Sequence, residues 1–122
     1  MAHILIAEDV AEIRFAYEAI LMSAGHSVDS VANGKDAIDH LKNASYDIII
    51  TDLMMPRQDG FDVTEAAEKL TPRPKILVIT GGGDQMSPHA ALKLNEANID
   101  RMLVKPVEQK ALLDCVDRLL AD

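Results

Sequence analysis

The strongest constraint on this chain is an alternation: five short strand-like runs, four of them closed by a polar or charged residue and each followed by a stretch with helical spacing. The runs span 3–7, 26–31, 48–52, 75–80 and 101–104. The third is the plainest. Ile48, Ile49 and Ile50 are consecutive β-branched residues, which suits a strand buried on both faces, and Asp52 closes the run. Between runs, apolar residues recur at helical intervals. The first stripe is Ile13, Ala16, Tyr17, Ile20 and Leu21, and the second is Ala37, Ile38 and Leu41. Val63, Ala66, Ala67 and Leu70 form the third, and Ala90, Ala91, Leu94 and Ala97 the fourth. The last is Leu112, Leu113, Val116, Leu119 and Leu120.

Punctuation falls where that alternation needs it. Gly25 stops the first helix, Asn33-Gly34 turns the chain, and Thr71-Pro72-Arg73-Pro74 makes a stiff exit loop. Ser87-Pro88 supplies a cap and first-turn proline for the fourth helix. Strands alternating with helices imply a parallel sheet covered on both sides. The fold expected is α/β, a doubly wound five-stranded parallel sheet of flavodoxin-like order 2-1-3-4-5. At 122 residues the chain makes one domain, 1–122, with nothing left over for a second.

Composition narrows the function. Hydrophobic residues are 48% of the chain and aromatics 3%, so the core is aliphatic. Twenty acids against twelve bases give a net charge of −8, which repels phosphate backbones and argues against direct nucleic-acid binding. No apolar run reaches membrane-spanning length, and the acidic start MAHILIAEDV is not a signal peptide. A single cysteine, Cys115, fits a reducing, cytoplasmic location. His3, His26, His40 and His89 show no metal-ligand spacing and read as structural or surface residues.

Parallel strands point their carboxyl ends the same way. Glu8 and Asp9 after the first strand, Asp52 after the third, Thr80 after the fourth and Lys105 after the fifth therefore share one edge, with strands one and three meeting at the switch point. Each has an ordinary reading: Asp52 as a turn former, Glu8 and Asp9 as helix caps, Thr80 as strand filler, Lys105 as a surface charge. Their convergence favours chemistry. Two carboxylates about 5 Å apart repel by ~3 kcal/mol at an effective dielectric near 20, so three acids in a cleft call for a cation. An all-oxygen site suits Mg²⁺. With Lys105 and the Thr80 hydroxyl opposite, a carboxylate there can receive a phosphoryl group as an aspartyl phosphate.

These motifs resemble the receiver domain of two-component response regulators, over the whole chain. The matching residues are Glu8-Asp9, Asp52 followed by Met55-Pro56 and Asp59-Gly60, Thr80, and Lys105-Pro106. The resemblance implies that Asp52 is the phosphoacceptor, and that Asp9, Asp52 and the Met54 backbone carbonyl bind Mg²⁺ with Glu8 helping through water. It implies that Lys105 holds the phosphoryl group, that Thr80 swings towards it, and that the Lys105-Pro106 bond is cis. It also implies a histidine kinase or histidine phosphotransfer protein as donor and a downstream protein as target. The domain would be a switch and not an enzyme.

Three departures bear on the switch. Glu8 stands where Asp is commoner, Met102 where Tyr or Phe is usual, and Val107 where Phe is frequent. Gly81, Gly82 and Gly83 form a bare loop with high backbone freedom. The expectation is that this loop carries the switching motion and that Met102 contributes little. Two other classes compete. A metabolite phosphohydrolase with an aspartyl nucleophile wants a second acid two residues on, where this chain has Met54. A flavin module wants a phosphate-cradling loop after the first strand, where Glu8-Asp9 is hostile to phosphate without a metal.

Overall fold

A computed structural model describes residues 1–53, 60–81 and 98–122. The elements are β1 (His3–Ala7), α1 (Ala11–Ser23), β2 (Ser27–Val31), α2 (Gly34–Asn43), β3 (Ile48–Asp52), α3 (Gly60–Glu68), β4 (Lys75–Thr80), β5 (Arg101–Val104) and α4 (Gln109–Ala121). The strands form one sheet in the order β2-β1-β3-β4-β5, with every pair parallel. This is the expected doubly wound fold. The fourth helix expected from Ser87, Pro88, Ala90, Ala91, Leu94 and Ala97 lies outside the described residues.

Alternation along each strand sends side chains to two separate cores. Ile4, Ile6, Ile48, Ile50, Leu77 and Ile79 pack with Tyr17 and Leu21 of α1 and with Leu112, Val116 and Leu119 of α4. Leu5, Ala7, Ile49, Ile76 and Val78 pack with Ala37 and Leu41 of α2 and Val63 and Ala67 of α3. The three consecutive isoleucines of β3 thus serve both cores at once. Each such burial contributes about 1.5–3 kcal/mol, which makes the aliphatic sheet the main source of stability.

The helical stripes differ from expectation at their margins. In α1, Ala16 is exposed while Ile13 and Ile20 are half-buried. In α4, Cys115 is buried and Leu120 lies at the exposed rim, because at 3.6 residues per turn a narrow contact admits only the centre of the stripe. Asn33-Gly34 is not a free turn. Asn33 caps α2, its side chain accepting from the Asp36 N–H at 2.8 Å, and Gly34 begins the helix. Gly25 ends α1 with φ 93°, its N–H donating to the Met22 carbonyl at 3.0 Å while that of His26 reaches Leu21 at 3.2 Å.

Three histidines have structural partners. His3 Nε2 lies 3.0 Å from Asp29 Oδ2 and Nδ1 lies 2.9 Å from the Ser45 carbonyl, with its ring 4.4 Å from that of Tyr46. Tyr46 donates to Asp29 at 2.7 Å; that hydrogen bond, and His3 beside it, hold the Asp29 carboxyl below its usual range despite burial. His26 Nδ1 accepts from the Ala2 N–H at 3.1 Å, and His40 Nδ1 donates to the Asp36 carbonyl at 2.9 Å. His89 lies outside the described residues. Among the described residues no helix is long and apolar enough to cross a membrane.

One packing contact sets where the chain goes after β3. A Cβ on Gly60 would stand 2.3 Å from the Asp52 carbonyl oxygen and 2.7 Å from Leu53 Cα, so α3 starts directly against the backbone leaving Asp52. Gly60 N–H donates to the Leu53 carbonyl at 2.9 Å across that contact. We expect Gly60→Ala to cost about 1–3 kcal/mol through overpacking. Gly25→Ala, with open space around it, pays about 1–2 kcal/mol for its positive φ alone. Urea midpoints measure both, and amide spectra distinguish them: Gly60→Ala moves the Asp52 and Leu53 signals and Gly25→Ala does not. A Gly60→Ala protein with wild-type stability and spectra would show that α3 yields freely.

Candidate functional site

Four polar side chains stand at the carboxyl ends of four strands. Glu8 follows β1, Asp52 and Thr80 end β3 and β4, and Lys105 follows β5. Burial is the unusual feature: Glu8 is 1% exposed, Asp52 6% and Thr80 7%. The sheet's hydrogen bonding runs one residue past the strands and fixes these positions. Glu8 N–H donates to Val31 at 3.1 Å, Leu53 N–H to Ile79 at 3.3 Å, and Lys105 N–H to Thr80 at 2.8 Å. The Thr51 hydroxyl donates to the Asp52 carbonyl at 2.9 Å, and Arg14 Nη1 of α1 to the Glu8 carbonyl at 2.8 Å.

The centre of the arrangement is Lys105. Its Nζ donates to Asp52 Oδ2 at 2.7 Å and lies 2.8 Å from Glu8 Oε1. The Glu8 contact is close but poorly directed, an ion pair more than a hydrogen bond, and Oε1 has no hydrogen-bond donor among the described residues. Burial raises the Glu8 pKa foremost; Asp9 and the charge of Asp52 add to the rise and Lys105 opposes it. Burial works against the Lys105 ammonium, yet its pairing with Asp52 and Glu8 outweighs that and holds its pKa above that of an ordinary lysine.

Asp9 is exposed and completes an acid cluster. Glu8, Asp9 and Asp52 each offer one oxygen, all within 4.8 Å of one another. The donor set fits Mg²⁺: hard oxygens only, closely grouped, with one buried oxygen short of a donor. The strand ends therefore bring Glu8, Asp9, Asp52, Thr80 and Lys105 to one edge. Met54, Gly82 and Gly83 lie outside the described residues. Gly81 is exposed just past β4, and Met102, in register with Val78 on β5, is 45% exposed.

Two features of the site were not read from sequence. Arg14, which ties α1 to β1, gave no signal, since one arginine on a helix has many possible partners. Tyr17 was read only as part of a helical stripe, and it lies in the field of Lys105, Glu8 and Asp52. The Lys105-Pro106 bond is cis, as the resemblance implied; Thr71-Pro72 is cis as well.

The chain thus falls in a class of doubly wound α/β domains with an acidic, lysine-bridged cleft at the switch point. Its family is more specific. Residues 4–117 match the response regulator receiver domain, and the chain belongs to that family, whose members are signalling domains of two-component systems. It is 29% identical over 117 residues to chemotaxis protein CheY of Thermotoga maritima, covering 95% of each chain. It is 32% identical over 124 residues to the response regulator receiver protein CpdR of Brucella abortus, covering 98% of each. Among solved structures it matches the receiver domain of sensor histidine kinase PA1611 from Pseudomonas aeruginosa PAO1 with TM-score 0.87 and 27% identity, covering 99% of this chain and 98% of that one. That domain has a magnesium ion coordinated in its active-site cleft.

Lys105 occupies carboxylates that would also face a cation, so their effects separate. Mg²⁺ at ten times its dissociation constant should stabilise the fold by about 1.4 kcal/mol, read as a rise in melting temperature. Asp9→Asn should remove most of that rise, and Lys105→Ala should leave or enlarge it. An equal rise in all three proteins would place the cation elsewhere.

Proposed function

We propose that Asp52 accepts a phosphoryl group from a histidine kinase or histidine phosphotransfer protein, and that residues 1–122 act as one cytoplasmic signalling domain through a downstream protein. The observation that carries this reading is the Lys105 ammonium bridging Asp52 and Glu8 at the end of a buried strand. An Asp52 oxygen attacks the phosphorus of the donor's phosphohistidine. The new P–O bond forms as the P–N bond breaks, and the imidazole leaves with the electron pair. Asp9 and Asp52, with Glu8 helping through water and the Met54 carbonyl as a further ligand, would hold Mg²⁺, which would supply positive charge against the phosphoryl group.

The chain's own residues do the rest. Lys105 is paired with Asp52 and, once transfer has occurred, follows the charge onto a phosphoryl oxygen. Thr80, at the adjacent strand end, donates its hydroxyl to another. Gly81, Gly82 and Gly83 allow the loop beyond Thr80 to adjust, and Met102 takes little part. The magnesium-bound receiver domain of PA1611 supports the metal assignment, and the near-complete overlap with CheY and CpdR supports a signalling role for a domain of this size.

The test uses a small phosphodonor such as acetyl phosphate. With Mg²⁺ present the protein should take up one label, and Asp52→Asn or excess EDTA should abolish it. Labelling that survives either change would overturn the assignment.

A further inference from the structure

Asp9, the exposed acid of the cluster, sits in a short turn, Glu8-Asp9-Val10, between β1 and α1. That turn lacks the usual fastening. Helix α1 begins after Val10 with no side-chain cap, whereas Asn33 caps α2. Within the turn the Val10 N–H reaches Glu8 Oε2 at 3.3 Å, a long hydrogen bond to a carboxylate that itself belongs to the site.

Arg14 supplies the fastening from one turn further along α1. Its backbone N–H donates to the Val10 carbonyl at 2.9 Å, and its Nη1 donates to the Glu8 carbonyl at 2.8 Å. One residue thus grips the carbonyls on both sides of Asp9. The side-chain bond is charge-assisted, roughly twice as strong as a neutral one. The guanidinium carbon lies 5.1 Å from the centre of the Phe15 ring, and Phe15 is 56% exposed. A surface aromatic so placed shields one side of the guanidinium from water, which favours its bond to the carbonyl.

The acid cluster needs that turn held. Glu8, Asp9 and Asp52 present oxygens within 4.8 Å of one another, although like charges so close push apart. Glu8 and Asp52 are buried and fixed by the bonding of the sheet, while Asp9 is exposed and follows the turn. Where Asp9 stands is therefore set by the two carbonyls that Arg14 grips.

We propose that Arg14 is a positioning residue for the cation: acting through the Glu8 carbonyl, it holds Asp9 against Glu8 and Asp52 at the spacing that Mg²⁺ needs. The proposal rests on the acid cluster being the metal site. Positioning and simple repulsion act in opposite directions here. A positive side chain near a cation site repels the cation, so deleting the charge alone would tighten Mg²⁺ binding. Losing the grip on Asp9 would weaken it, and removing a partner that orients a ligand typically costs about 10–100-fold in metal affinity.

Mg²⁺ affinity is read without any phosphodonor, from the amide shifts of Glu8, Asp9 and Asp52 as MgCl₂ is added. Arg14→Met, which keeps the aliphatic stem and removes the donor, should bind Mg²⁺ about ten-fold more weakly. Arg14→Lys keeps the charge on a shorter side chain and should fall between that variant and wild type. Labelling of Asp52 by acetyl phosphate should need correspondingly more Mg²⁺ in Arg14→Met and reach the wild-type extent once the metal saturates. A merely structural role would lower the urea midpoint and leave the affinity alone. Unchanged or tighter Mg²⁺ binding in Arg14→Met would overturn the proposal, as would a labelling defect that saturating Mg²⁺ leaves in place. If that variant does not fold, unchanged or tighter binding in Arg14→Lys would do the same. A wild-type protein whose Glu8, Asp9 and Asp52 amides ignore Mg²⁺ would remove the metal site itself, and this proposal with it.

Discussion

The site depends on one ammonium placed between two buried carboxylates. Glu8 and Asp52 are almost withdrawn from water, and a charge so placed costs several kcal/mol unless it is compensated. Lys105 compensates both, at 2.8 and 2.7 Å. At about 4 Å a single such attraction is worth about 4 kcal/mol at an effective dielectric of 20, the same order as burying one or two isoleucines. The division of labour follows from those magnitudes. Aliphatic burial from β1, β3 and β4 holds the sheet, and the ion bridge keeps its carboxyl edge charged and closed.

That bridge is possible only because of connectivity. Asp52 and Lys105 are 53 positions apart, and they meet because parallel strands deliver their ends to one side. Each end is then steered locally. Gly60 presses α3 onto the backbone at Asp52, Arg14 clamps α1 to the Glu8 carbonyl, and the Lys105 N–H continues the ladder from Thr80. At the opposite edge His3, Asp29 and Tyr46 join β1, β2 and the start of β3 with neutral and charged hydrogen bonds that play no part in the chemistry. Order at one end leaves the other free to hold unbalanced charge.

Much of this was legible in the sequence, and for a common reason. A strand buried on both faces demands an unbroken run such as Ile48 to Ile50, and a polar residue at the end of such a run is conspicuous because burial penalises it. Asp52, Glu8 and Thr80 stood out on those grounds. The remainder was hidden where two environments select the same residue. Tyr17 fits a helical core stripe whether or not its hydroxyl faces a charged site. Gly60 reads as turn punctuation, yet its constraint is a backbone contact with a residue eight positions earlier. Leu120 and Ala16 have the right periodicity and sit at exposed margins, because spacing gives the direction of a face but not the width of what covers it.

A receiver domain must pass a local change in charge to a surface some distance away, and packing decides which residues are able to do so. A side chain with solvent on one side relaxes into it. Met102, 45% exposed and unbranched with several rotamers, has that escape, and its thioether cannot register the gain or loss of a hydrogen bond as a phenol does. An enclosed ring has no such freedom. Tyr17 is 5% exposed and packs in the core it shares with Leu112, Val116 and Leu119 of α4, where a close-packed interior leaves little room to relax. In a chain with 3% aromatic residues, Tyr17 is an aromatic that lines the same groove as Lys105, while β5 carries Met102.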